Sequence, residues 1–127
     1  KVDDEATIIL TYKKAQVIIQ ASWNWPYNRK DMQVYGVTGY VLCKNGTDMM
    51  IKEDENKEAI PETAKALPEN RNDPFIYFKN VIEGNIKPAL FDLSTAENNE
   101  IVIQILEAAK QSAKTGKTIV WDEFYKK

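Results

Sequence analysis

Histidine is absent from this chain of 127 residues, cysteine occurs once and glycine five times. With no histidine and a single thiol, Cys43, neither an internal disulfide nor a Cys/His zinc site can be assembled, which suits a reducing compartment. Long apolar runs are also missing. The longest span only a few residues, against the roughly 20 that cross a bilayer, and no basic start with an apolar middle opens the chain as a secretory signal would. Charge of one sign is lacking too: 17 basic and 19 acidic residues leave a net charge of −2, well mixed along the sequence. Such a surface has no basic field to gather phosphates, so neither nucleic acid nor a membrane is an expected partner. The glycines are too dispersed to build a G-x-G-x-x-G phosphate cradle. The closest two, Gly36 and Gly39, fall between strand-like segments with no helical pattern after them.

What is present is 43% hydrophobic residues, enough for one domain spanning residues 1–127 and burying roughly two thirds of its unfolded surface. Strand patterns come first and helical patterns last, which predicts an α+β fold, a largely antiparallel open sheet with helices packed on one face. Ala6 to Tyr12 and Gln16 to Trp23 read as strands around a Lys13-Lys14 turn. In the second, Val17, Ile19, Ala21 and Trp23 share one face, and Ile18 lies on the other. Met32 to Val37, Tyr40 to Cys43 and Asp48 to Lys52 continue the sheet. Asn45-Gly46 between the last two predicts a type I′ hairpin. Residues 53–72 are acidic and broken by proline, so a long surface excursion with an edge strand is expected there. Asp73 caps a helix with Pro74 in its first turn, passing Phe75, Phe78 and Ile82 on the way to Gly84.

The stretch from Ser94 to Val120 reads as one long helix. Ser94 with Glu97 makes a capping box, Ile101, Val102, Ile105, Leu106, Ala109 and Ala113 form a broad apolar face, and Gly116 closes it.

Four short motifs carry less than they suggest. Gly116-Lys117-Thr118 resembles the tail of a phosphate loop, but position 111 is Gln and this glycine ends a helix, where the dipole is negative. Asn45-Gly46-Thr47 matches a glycosylation acceptor, yet the hairpin explains it. Glu53-Asp54-Glu55 lacks the glycine and alternating ligands of a calcium loop. Cys43 beside Lys44 reads as a small packed strand residue.

The constellation with chemical promise is Trp23-Asn24-Trp25-Pro26-Tyr27-Asn28-Arg29. If the strand continues through it, Trp23 and Trp25 present two indole planes on one face, a flat apolar wall on which the C–H face of a sugar stacks. Asn24, Asn28 and Arg29 add donors and acceptors for hydroxyls or a carboxylate. The same tryptophans also suit a core or a subunit interface, with Trp23, nearer the strand, the better candidate for packing.

Taken with Trp23, Tyr35-Gly36-Val37-Thr38-Gly39-Tyr40 and Asp73-Pro74-Phe75-Ile76-Tyr77-Phe78, the Glu97 to Thr118 segment resembles the C-terminal domain of the glucose-fructose oxidoreductase, inositol dehydrogenase and rhizopine-catabolism (Gfo/Idh/MocA) family. The resemblance runs from about Glu5 to Val120. It implies a cytoplasmic NAD(P)-dependent sugar or polyol dehydrogenase, of which this chain is the substrate-binding and oligomerisation part. The family's dinucleotide fingerprint, its Glu-Lys-Pro lysine and its Asp-x-x-x-His histidine are not in this sequence. The resemblance therefore implies that NAD or NADP and the catalytic groups belong to a region outside it. It also implies self-association through the sheet, and a sugar or polyol ligand. The second reading is a stand-alone α+β module that binds or assembles without catalysis.

Overall fold

The computed structural model describes residues 3–125. It is α+β, with a two-stranded and a four-stranded antiparallel sheet and three helices. The order is β1 (Glu5–Thr11), β2 (Gln16–Ser22), β3 (Met32–Tyr35), β4 (Tyr40–Cys43), β5 (Asp48–Lys52), β6 (Ile60–Thr63), α1 (Pro74–Ile82), α2 (Ala96–Thr115) and α3 (Trp121–Phe124). The chain forms two compact units. One takes the chain up to Thr7 together with Gln20–Asn72, and the other Ile8–Ile19 with the chain from Asp73 onward.

The first unit contains the four-stranded meander β3-β4-β5-β6. Tyr35 pairs with Tyr40 across the Gly36–Gly39 turn, with their rings 6.1 Å apart and tilted by 55°. The turn is closed by Gly36 N donating to Gly39 O at 2.8 Å. Gly39 is there for space. A Cβ on it would stand 1.9 Å from the carbonyl oxygen of Lys52, on the neighbouring strand. Val41 faces Ile51 and Leu42 faces Met50, so the two central strands are half-buried while β3 and β6 are exposed edges. Pro61 in β6 suits an edge, where a missing N–H leaves no ladder bond unmade.

The β4–β5 turn departs from the type I′ expectation. Gly46 has no positive φ, and the turn is built instead by the Asn45 side chain, whose Oδ1 accepts from Thr47 N at 2.8 Å and Asp48 N at 2.7 Å. A side-chain acceptor has replaced the left-handed backbone. The edge strand expected within residues 53–72 is β6.

In the second unit the Lys13-Lys14 turn is closed by Tyr12 N donating to Ala15 O at 2.8 Å. Asp73 Oδ1 accepts from Phe75 N and Ile76 N at 2.8 and 3.0 Å, and Pro74 fills the first turn of α1, which ends at Ile82 before Gly84 at φ 76°. The N-cap of α2 is Thr95, one residue beyond the expected Ser94. Ser94 is occupied elsewhere, its N and Oγ both donating to Asp92 Oδ1, and this leaves Thr95 Oγ1 to accept from Asn98 N. Gly116 at φ 67° is the left-handed stop, so the helix ends well before Val120, and the chain continues into α3, an element the sequence pattern did not suggest.

The core is where expectation and structure differ most. Ile86, 6% exposed, is the single buried hydrophobic among the described residues. The accessible surface is 11659 Å². A globular monomer of this length exposes about 6,900 Å², and two separate globules of half the length about 8,300 Å², so the excess does not depend on how the two units are arranged. The apolar face of α2 is largely open, with Ile101, Val102 and Leu106 exposed and Ile105 half-buried. Ile9, Val17, Ile18 and Ile19 of the β1–β2 hairpin are exposed on both faces.

Candidate functional site

The aromatic segment follows β2 directly. β2 ends at Ser22, whose Oγ donates to Glu5 Oε1 at 2.9 Å and accepts from Asn24 N at 3.0 Å, while Trp23 N donates to Asp4 O. These three bonds terminate the strand and bend the chain. Trp23 and Trp25 therefore do not lie on one strand face, because no strand carries them. Their burial is also the reverse of the expectation. Trp23 is 90% exposed, and Trp25 is the half-buried member of the pair. The bend at Ser22 turns Trp23 out, and Trp25, two residues further on, gains a neighbour from its own loop.

That neighbour is Arg29, whose Cζ lies 5.1 Å from the centroid of the Trp25 ring. A planar guanidinium over an indole is held by the ring's quadrupole and by stacking. The same guanidinium grips Asp31 as a fork, Nε to Oδ1 at 2.5 Å and Nη2 to Oδ2 at 2.9 Å. Its two donors on Asp31 are spent within the protein, and hydrogen bonding to Arg29 holds the Asp31 carboxyl below the usual carboxylate range. Arg29 is raised by the same bond, and remains a cation at every accessible pH.

Two open depressions meet at this loop, both formed within the first unit. One, of about 370 Å³, is lined by Ser22, Trp23, Trp25 and Arg29. The larger, of about 580 Å³, runs from Tyr27, Arg29 and Asp31 across Gln33 to Lys44 and Asn45 of the β4–β5 turn. Of the residues singled out in sequence, the structure gathers Trp23, Trp25, Asn28 and Arg29 around the smaller depression, with Asn24 exposed between the tryptophans. Sequence reading missed Asp31, and it read Asn45 as a hairpin turn and Lys44 as a strand-end neighbour without placing either beside the aromatic loop. The Arg-x-Asp spacing is the local signal for the first; nothing local ties the turn to the aromatic loop.

Gly116-Lys117-Thr118 follows the C-terminal end of α2, the wrong pole for phosphate. Among the described residues no group of three or more potential metal ligands is clustered, and no helix is long and apolar enough to cross a membrane. No family model matches this chain, and no curated protein or solved structure is significantly similar to it.

Proposed function

We propose that this chain is the substrate-binding and oligomerisation region of a cytoplasmic NAD(P)-dependent sugar or polyol dehydrogenase of the Gfo/Idh/MocA type. In that assignment hydride transfer at a sugar or polyol carbon uses a cofactor and proton-transfer groups carried outside this sequence. The ligand half of the reading rests on one observation: a 90% exposed indole, Trp23, and an Arg-stacked indole, Trp25, border a shallow open depression. Sugars present apolar C–H faces ringed by hydroxyls, and such rims of aromatic planes with amide and guanidinium groups recognise them. The oligomerisation half is supported by the accessible surface, whose excess over two separate globules is about 3,400 Å². That is more than the roughly 800 Å² per partner of a standard interface. The resemblance in the segments quoted above joins the two halves.

Titration of the isolated chain tests this assignment. Tryptophan fluorescence should respond saturably to a sugar or polyol from a panel of monosaccharides and alditols, and should show no binding of NAD or NADP. Saturable micromolar binding of either cofactor would overturn the proposed division of labour. A flat response across the panel, in protein whose circular dichroism confirms folding, would remove the sugar reading.

A further inference from the structure

The β4–β5 turn holds the sole Asn-Gly pair in the chain, and the Asn45 side chain is fixed there by several hydrogen bonds. Asn45 Oδ1 accepts three donors: Thr47 N at 2.8 Å, Asp48 N at 2.7 Å and Thr47 Oγ1 at 3.2 Å. Asn45 Nδ2 donates to Asp48 Oδ2 at 2.8 Å. Convergent backbone N–H groups on a carbonyl oxygen polarise its carbon and stabilise an oxyanion that forms there, as they do in acyl transfer. The nucleophile is the backbone nitrogen of the next residue, Gly46, which closes a five-membered ring on that carbon. Among the described residues the Gly46 amide nitrogen makes no hydrogen bond, and apart from its chain neighbours Asn45 and Thr47 no residue has an atom within 4 Å of where a Cβ on Gly46 would be. The turn is anchored around this site, since Lys44 N donates to Asp48 O at 3.0 Å and Ala64 N to Thr47 O at 2.8 Å.

We propose that Asn45 is a self-processing modification site, deamidated through intramolecular acyl transfer that the turn itself promotes. The Gly46 nitrogen bonds to Asn45 Cγ as its proton passes through solvent water to the Asp48 carboxylate, and the negative charge on Oδ1 is taken by the three donors. The Asp48 carboxylate, already bonded to Nδ2, relays a proton to that nitrogen. The Cγ–Nδ2 bond breaks, ammonia leaves and a five-membered succinimide remains. Water then adds to one of its two carbonyls and opens the ring to an aspartyl or isoaspartyl residue at position 45. Only water is consumed, and nothing is oxidised or reduced. The product loses the Nδ2 bond to Asp48 and sets a second carboxylate beside it. That new charge stands on the rim of the depression that Arg29 and Lys44 also line, so the reaction changes the charge of this surface with time.

Peptide mapping by mass spectrometry, following the gain of about 1 Da at this position with incubation near neutral pH, reads the reaction directly. The comparison is the full chain in buffer, checked for folding by circular dichroism, against the same chain unfolded in urea. Folded protein should deamidate at Asn45 at least about threefold faster than unfolded, a small part of what preorganised oxyanion donors supply in enzymes. Asp48→Asn should slow the folded rate towards the unfolded one. Gly46→Ala, which places a methyl on the nucleophile at a site with open space and ordinary φ, should slow it by about tenfold or more without unfolding the turn. A folded rate equal to or below that of the unfolded chain would overturn the proposal, as would an Asp48→Asn protein that reacts as fast as the parent.

Discussion

Arg29 is sandwiched between Trp25 and Asp31, with its Cζ 5.1 Å from the indole centroid and two of its nitrogens on the two carboxylate oxygens. One planar cation thus ties the aromatic half of the loop to the entry into β3. This relationship has a consequence for pH. Asp31 is held below the usual carboxylate range chiefly by its hydrogen bond from Arg29, so its folded pKa lies under its unfolded one. The contribution is present above the unfolded pKa and is lost as pH falls through the folded one. NMR titration of the Asp31 carboxyl should show a midpoint below that of a free aspartate, and Arg29→Ala should restore the ordinary value. Arg29→Lys should recover little, because an ammonium cannot fork both oxygens while stacking on the ring. An Asp31 midpoint unchanged by Arg29→Ala would break the assignment.

The two tryptophans should separate cleanly. Trp23→Ala removes a side chain that is 90% exposed and should change stability by no more than about 0.5 kcal/mol. Trp25→Ala removes the platform under Arg29, so it should lower the melting temperature further than Trp23→Ala. If both rings contact a sugar, each variant should weaken its binding by about tenfold or more, the size of a small-pocket contact. Thermal melts and fluorescence titrations on the two variants check this. A Trp23→Ala protein with unaltered sugar affinity would confine the site to Trp25.

Gly39→Ala should damage the sheet out of proportion to its size. The added methyl would lie 1.9 Å from Lys52 O and 2.9 Å from the Glu53 carbonyl, both backbone atoms that cannot swing aside. Overpacking of this kind costs about 1–3 kcal/mol and sometimes more. Gly36→Ala, whose methyl would meet the Gly39 carbonyl oxygen at an ordinary 3.5 Å, is the matched control and should cost less. Denaturant melts of the pair read the difference.

Self-association is the expected fate of the uncovered apolar surface. Ile9, Ile18 and Ile19 of the hairpin, and Ile101, Val102 and Leu106 of α2, are exposed on elements whose pattern is that of a packed interior. Sedimentation at tens of micromolar, about the range of a modest interface, should find a dimer or larger species. Changing Ile18 or Leu106 to lysine should return it towards monomer. Monomer alone for the unaltered chain would count against the oligomerisation reading.

Local rules wrote most of the secondary structure. Alternation placed five strands to within a residue or two, Asp73-Pro74 started α1, and Gly116 stopped α2, because each of these signals acts over a single turn or pleat. Besides α3, two local details escaped. Asp92 captured Ser94 and moved the α2 cap to Thr95, and the Asn45 side chain displaced the backbone turn its sequence favoured. In both cases two polar partners competed for one donor set, and a pattern of residue types does not rank such competitors. The amino-acid order by itself determined the α+β class, the order of elements through α2 and the clustering of aromatic and polar groups between Trp23 and Arg29. Tertiary structure alone decided which indole faces solvent and that the β4–β5 turn shares a depression with the aromatic loop. These depend on where the chain bends after Ser22 and on contacts between residues distant in sequence. Burial belongs with them: periodicity shows which face of an element is apolar, whereas covering that face requires a second surface.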